Sequence, residues 1–354
     1  MYMLTKNLVS FPGLGIEEFS LNNVAFSLGD FSVYWYGVII TCGILFAFLY
    51  AAFRGKYEGI SVDDLTDIGI WTVIIGVLGA RLYYVLTSLD QYIPKPFHIG
   101  QFIKNVLNLR GGGLAIYGGI ICGTLTIVAV TRIKKMNTLK LLDMAGPGVM
   151  IAQAMGRWGN FFNGEAFGGI VEAGHPLYFL RMGLISSNTI GDFGTLDMVY
   201  VHPTFLYESL WNLTGFILIN IFYKKKKFNG QNACMYLSWY GFGRFFIEAL
   251  RTDSLYVGPF RISQVVGLVC FVVFGGLLVA GLLYSKKMEA KETLNRFEAL
   301  LVPSLDMNPV FFVKKEKKTA EIDEQKAVTE SENDGDHTNE NKDQKENDEN
   351  GTDN

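Results

Sequence analysis

Tyr240, Arg244 and Glu248 stand at i, i+4 and i+8, and Arg251 follows three residues later. On a helix this spacing gathers a hydroxyl, two guanidinium groups and a carboxylate onto one stripe. Phe245, Phe246 and Ile247 fall on the other faces. A second polar group lies in GRWGNFFNGEAFGG, Gly156 to Gly169, with Arg157, Asn160, Asn163 and Glu165 set among glycines. Arginine suits phosphate, because its planar fork donates paired hydrogen bonds and keeps its charge. Glycine lets backbone approach a ligand closely and adopt positive φ. Asn160 and Asn163 can donate and accept, and Glu165 can orient an arginine or a hydroxyl. The bland alternatives are an Arg–Glu pair that only fixes helix packing, and a glycine-rich turn at a helix end.

Other chemistries find less support. The nucleotide-type loop GxxxxGK[ST] is absent. Cys42, Cys122, Cys234 and Cys270 each sit in a separate apolar run, with no CxxC pair and no nearby His. They read as small buried hydrophobes, so neither zinc, nor a disulfide framework, nor a catalytic cysteine is expected. Nothing points to nucleic acid.

The elements that must hold these residues are apolar. The 354 residues have a mean hydropathy of +0.23 and are 14% aromatic, as membrane proteins often are. Seven runs reach the roughly 20 residues that a bilayer needs: 32–53, 65–88, 113–131, 139–158, 204–223, 231–250 and 262–284. The expected fold is an all-α integral membrane domain of seven transmembrane helices over 32–285. An external amino-terminal segment (1–31) precedes it. A small external domain (159–203) lies between helices 4 and 5. A cytoplasmic juxtamembrane segment (286–320) follows, then a disordered acidic tail (321–354). That tail holds 13 acidic and 3 basic residues, which leaves the rest of the chain basic. No cleavable signal peptide is evident.

Basic residues set the orientation. Arg54 and Lys56, Arg132 with Lys134 and Lys135, Lys224 to Lys227, and Lys286 with Lys287 and Lys291 follow runs 1, 3, 5 and 7. These segments alternate with the others and read as cytoplasmic, so the amino terminus is outside and the carboxyl terminus inside. Charged residues within a span cost roughly 2.5–3.5 kcal/mol each on insertion scales and mark function by default. The topology puts nearly all of them in the outer half: Arg81, Arg157, Tyr207 and Glu208 just after His202, and the Tyr240 stripe. Tyr36 and Gln264 open their spans at the same level. With too few carboxylates in the spans to neutralise them securely, these arginines call for an anion. At the outer leaflet the abundant anion is a phospholipid phosphate. The glycine run from Arg110 to Ile120 opens span 3 there too, and serves equally well for close helix packing.

Together these segments resemble the prolipoprotein diacylglyceryl transferase family of the bacterial inner membrane. Arg157, Gly159, Asn160, Asn163, Glu165 and Gly168 match its signature. WYG at Trp35–Gly37, GARLYYVL at Gly79–Leu86, GGGLAIYGG at Gly111–Gly119, HPTFLYES at His202–Ser209 and YGFGRFFIEALRTD at Tyr240–Asp253 follow in the family's order. The resemblance covers roughly 30–285. It implies transfer of the diacylglyceryl group from phosphatidylglycerol to the lipobox cysteine of a preprolipoprotein signal peptide. A thioether forms, glycerol phosphate leaves, and no metal or organic cofactor takes part. It implies catalytic roles among Arg157, Arg244, Glu248, Tyr240, Tyr117 and His202. It implies substrate contacts by Arg157, Asn160, Asn163, Glu165, Gly168, Tyr36, Arg81 and Glu208. Arg157 corresponds to the arginine that binds the lipid phosphate. One departure matters. Many relatives carry a histidine where this chain has Tyr117, and a phenol near pKa 10 is a poor base. Thiol activation is then expected to rest on arginine electrostatics, with His202 or Glu208 as helpers and Tyr117 as a hydrogen-bonding group. Oligomeric state is not readable.

Three rival classes were weighed. A transporter predicts charges spread through the depth and repeat symmetry, and neither is visible. A membrane protease predicts a GxSG motif or paired aspartates, which are absent. A scaffold that only anchors lipid through Arg157 or Arg244 stays compatible with the residues.

Overall fold

The computed structural model describes residues 6–29, 31–94, 98–108 and 112–301. Arg110 and Gly111 of the second glycine run, and the expected tail at 321–354, lie outside these residues. The chain divides into one unit up to Lys287 and another from Met288, whose described residues, to Leu301, are helical.

The chain is mostly helical. Strands β1 (Lys6–Phe11) and β2 (Ile16–Asn22) come first, then the hairpin β3 (Val24–Leu28) and β4 (Phe31–Tyr34). Long helices α1 (Trp35–Glu58) and α2 (Val62–Thr87) follow, then two short ones, α3 (Leu89–Tyr92) and α4 (Ile99–Leu107). Next are α5 (Ile116–Ile133) and α6 (Thr138–Asn163). Strand β5 (Met182–Ile185), α7 (Ser187–Phe193) and β6 (Val199–Val201) separate these from α8 (Thr204–Phe222) and α9 (Gln231–Leu250). The hairpin β7 (Tyr256–Val257) and β8 (Phe260–Arg261) leads into α10 (Ile262–Leu301).

Each of the seven apolar runs falls mainly in one long helix, although 32–34 belong to β4 and 113–115 precede α5. Among the described residues, five helical segments are apolar and long enough to cross a membrane: Trp35–Glu58, Val62–Thr87, Ile116–Ile133, Thr204–Lys225 and Ile262–Thr293. The other two, α6 with 26 residues and α9 with 20, have the length but carry the polar side chains. Capping marks where helices begin. Ser61 accepts from the Asp64 amide at the start of α2, and Asn137 accepts from Leu139 and Lys140 at the start of α6. The glycines of α2 and α5 serve packing. A Cβ on Gly118 would collide with the Gly79 carbonyl, and one on Gly79 with Cys122, so the two backbones meet directly.

The strands were not expected. β1 runs antiparallel between β2 and β5, and β5 pairs with β6, in the order β2-β1-β5-β6. The amino-terminal segment and the segment at 159–203, read as separate, therefore share one sheet. Val9, Phe11, Met182, Leu184, Val199 and Val201 pack on Phe161 from the end of α6, on Phe167, and on Phe205 from the start of α8. That core fixes the helix ends bearing the polar residues.

Candidate active site

The Gly156–Gly169 segment is the last two turns of α6 and the loop beyond. Helix carbonyls at a carboxyl end lack intrahelical partners. Here they are satisfied from the sheet side: Asn7 Nδ2 donates to Phe162 O at 3.0 Å, and Ser186 Oγ and Asn188 Nδ2 donate to Gly164 O at 2.9 and 3.1 Å. Gly164 closes the helix in the left-handed region at φ 62°, where a Cβ would stand 2.8 Å from Asn7 and Ser186. The loop is then sewn to α8 and α9. Gly168 N donates to His202 O at 2.9 Å, His202 N to Gly169 O at 3.1 Å, and Gly169 N to Leu250 O at 2.9 Å. A Cβ on Gly168 would lie 2.7 Å from that of His202, so this close approach requires glycine.

With these ends fixed, seven side chains from α6, its loop, α8 and α9 form one continuous polar relay. The Glu165 carboxylate accepts from Asn163 Nδ2 at 3.1 Å and from Asn160 Nδ2 at 2.9 Å. Asn160 Oδ1 accepts from Arg157 at 3.2 Å. Arg157 pairs with Glu208 at 2.6 Å, and Glu208 pairs with Arg244 at 2.8 Å. Arg244 pairs in turn with Glu248, at 2.5 Å, one turn along α9. Glu208 is the hub, its side chain only 3% exposed. Trp211 and Trp239 lock α8 to α9 nearby: each indole N–H donates to the other's carbonyl at 3.0 Å, with the rings stacked 4.3 Å apart.

This differs from the sequence expectation in one respect. The arginines are not short of carboxylates, because Glu208 and Glu248 balance Arg157 and Arg244. The carboxylates hold the guanidinium groups in place rather than leaving them loose. Each guanidinium has five N–H donors, more than the named contacts use, so both can still face an incoming acceptor.

The remaining candidates divide. Tyr36 packs its ring against Gly159 and feels the charges of Arg157 and Glu165. Tyr240 lies one turn before Arg244 and feels Glu208, Arg244 and Arg157. Both belong to the relay's surroundings. His202 is joined to the loop by its backbone, while its ring meets the Tyr207 hydroxyl at 3.3 Å and His175 edge-on at 4.9 Å. Burial, then the charge of His175, lowers the His202 pKa, so the ring is held neutral. Tyr117 places its hydroxyl 3.3 Å from Ser263 Oγ and links α5 to α10. Gln264 donates to Phe245 O at 3.2 Å.

Arg81 stands apart. It donates to the carbonyls of Val106, Gly112, Gly113, Asn105 and Asn108 at 2.5–3.0 Å, and stacks over Tyr92. Its fork is committed to the backbone and clamps α4 and the start of the α5 loop onto α2. Arg251 grips Asp253 with two bonds, at 2.9 and 2.7 Å. Burial is the largest single influence on the Asp253 carboxyl and would raise its pKa, but the hydrogen bonds and charge of Arg251, with a backbone hydrogen bond and the charge of Arg244, together outweigh it and the net shift is downward. Arg261, which sequence reasoning missed, donates to the carbonyls of Glu248 and Arg251 and to Ser254 Oγ. Its only signal was a lone arginine at the mouth of an apolar run.

Comparison with known proteins identifies the family. The model of one family, prolipoprotein diacylglyceryl transferase, matches residues 23–280. The chain belongs to that family. Relatives named phosphatidylglycerol–prolipoprotein diacylglyceryl transferase match over most of their length. The one from Clostridioides difficile is 42% identical over 267 residues, 75% of this chain and 97% of the relative. That of Finegoldia magna is 38% identical over 260 residues, 73% and 94%. That of Bacillus cytotoxicus is 42% identical over 253 residues, 72% and 89%. The family match spans every residue of the relay, from Arg157 to Glu248.

Proposed function

We propose that this protein transfers the diacylglyceryl group of phosphatidylglycerol to the lipobox cysteine of a prolipoprotein signal peptide, the first step of lipoprotein maturation. The observation that carries the reading is the buried relay Arg157–Glu208–Arg244, two guanidinium groups fixed by one carboxylate at the end of three packed helices. In this reading the lipid phosphate lies against the free N–H donors of Arg157 and Arg244. Asn160 and Glu165 orient Arg157, and Tyr36, Asn163 and Gly168 shape the wall. The substrate sulfur attacks the glycerol carbon next to the phosphate ester oxygen. A C–S bond forms and the C–O bond breaks, giving a thioether and glycerol phosphate, and the thiol proton is released. Charge builds on the leaving phosphate, where fixed arginines stabilise the transition state most. The same positive field favours the thiolate over a thiol whose ordinary pKa is near 8.5. Tyr240 and Glu248 support Arg244; Tyr117 and His202 border the site.

The same reading makes the seven long helices seven spans, with the sheet outside, the relay in the outer half of the membrane and the carboxyl terminus in the cytoplasm of a bacterial inner-membrane protein. The lysines and arginines at the opposite helix ends support it. The test is transfer of radiolabelled diacylglycerol from phosphatidylglycerol to a lipobox peptide by purified protein. Label should appear on the cysteine. Absence of labelled peptide with active, folded protein overturns the assignment.

A further inference from the structure

A second polar layer lies one turn deeper in the helices than the relay. The pairs Arg157–Glu208 and Ser209–Ala154, and the approach of Gly215 to Met150, set the antiparallel register of α6 on α8. That register puts Gln153 opposite Asn212. The pairs Arg244–Glu208 and Trp211–Trp239 set α8 on α9 in the same way and put Tyr240 at this level. Each of the three residues is four positions from a relay residue on its own helix, hence on the same face. Tyr236, one turn further down α9, is reached by Gln153.

The layer is under-satisfied. Asn212 is 0% exposed, yet among the described residues neither its amide nitrogen nor its oxygen has a partner, and the Gln153 carbonyl oxygen has none. Leaving a buried amide without a partner destabilises the fold. Gln153, Tyr236 and Tyr240 keep part of their surface accessible, whereas Asn212 is fully buried. An amide turned about its terminal bond presents either donor or acceptor, and the tyrosines add hydroxyl donors.

We propose that Gln153, Asn212 and Tyr240 form a subsite for the ester carbonyls of the diacylglyceryl moiety, one helical turn below the phosphate. The proposal rests on the reading that the relay holds the lipid phosphate. In a phospholipid whose tails point into the bilayer, the ester carbonyls lie a few bonds deeper than the phosphate. One turn of helix is about 5.4 Å, which suits that offset. The reacting carbon then sits between two anchors, phosphate above and ester below. Its C–O bond is aligned for in-line attack by sulfur. Gln153 and Asn212 are therefore positioning residues that select an acylated glycerol.

The test compares diacyl phosphatidylglycerol with its dialkyl ether analogue of equal chain length, which lacks the carbonyls. The purified protein should use the diacyl lipid about tenfold better in kcat/KM, roughly one hydrogen bond's worth. In Gln153→Leu and Asn212→Leu the ratio should fall to near one. Gln153→Met replaces the leucine variant if that one does not fold. Equal use of the two lipids by the wild-type protein overturns the proposal, and needs no variant. So does a tenfold ratio that persists in the variants. Failure of transfer from both lipids would instead sink the underlying assignment.

Discussion

Glu208→Gln keeps the shape of the relay's hub and removes its charge. The carboxylate meets Arg157 at 2.6 Å and Arg244 at 2.8 Å, with its side chain 3% exposed. At an effective dielectric near 20 and charge centres about 4 Å apart, each contact is worth about 4 kcal/mol before desolvation. Desolvating the carboxylate costs several kcal/mol, so the net loss on removing one partner of a buried pair is about 3–5 kcal/mol. Arg244 keeps Glu248, at 2.5 Å, while Arg157 keeps only the neutral Asn160 among the contacts named here, so the damage falls mainly on Arg157. The assay is thermal unfolding in detergent at pH 7 for wild type, Glu208→Gln, Arg157→Gln and the double variant. The single Glu208 variant should drop the midpoint by on the order of 10 °C. The double variant should recover part of that, with a coupling of about 1–3 kcal/mol. A midpoint within about 2 °C of wild type, or strict additivity, refutes the view that Glu208 is the hub.

Arg81→Met removes the donor for five backbone carbonyls, and should cost several kcal/mol and lower the yield of folded protein in the membrane, read by detergent size-exclusion chromatography. Gly118→Val forces a side chain into the Gly79 carbonyl and should separate α2 from α5, lowering the thermal midpoint by about 1–3 kcal/mol equivalent or more. His202 has its folded pKa below the ordinary value of 6.5, first through burial and then through His175. Its contribution is complete above that value and is lost as pH falls through the folded pKa, because the unfolded state then binds more protons. The midpoint should therefore fall between pH 7.5 and pH 5, and fall less in His202→Gln.

The seven helices were legible because each is an apolar run of span length, and the polar stripe of α9 was legible because Tyr240, Arg244 and Glu248 repeat every four residues. The Gly156–Gly169 segment announced itself by placing glycines among hydrogen-bonding side chains. The sheet was not legible. β5 has four residues and β6 three, too short for an alternating pattern to stand out, and β1 lies far from both in sequence. Two misreadings followed from pairings that are long-range. Arg81 read as a ligand-binding charge until the carbonyls beyond α4 claimed it. The arginines read as short of carboxylates until α8 and α9 brought Glu208 and Glu248 to them. Gln153 and Asn212 gave no signal, because only the antiparallel register of α6 on α8 makes them neighbours.

The claim on which the rest depends is that Arg157 holds the phosphate of the lipid. It is tested most directly by steady-state transfer with Arg157→Ala, varying phosphatidylglycerol and the cysteine peptide separately. Removing a fixed donor at the developing charge should lower kcat/KM for the lipid by about 10²–10³. The loss should appear against lipid concentration, with the KM for peptide little changed. A variant that folds and transfers at the wild-type rate would contradict it.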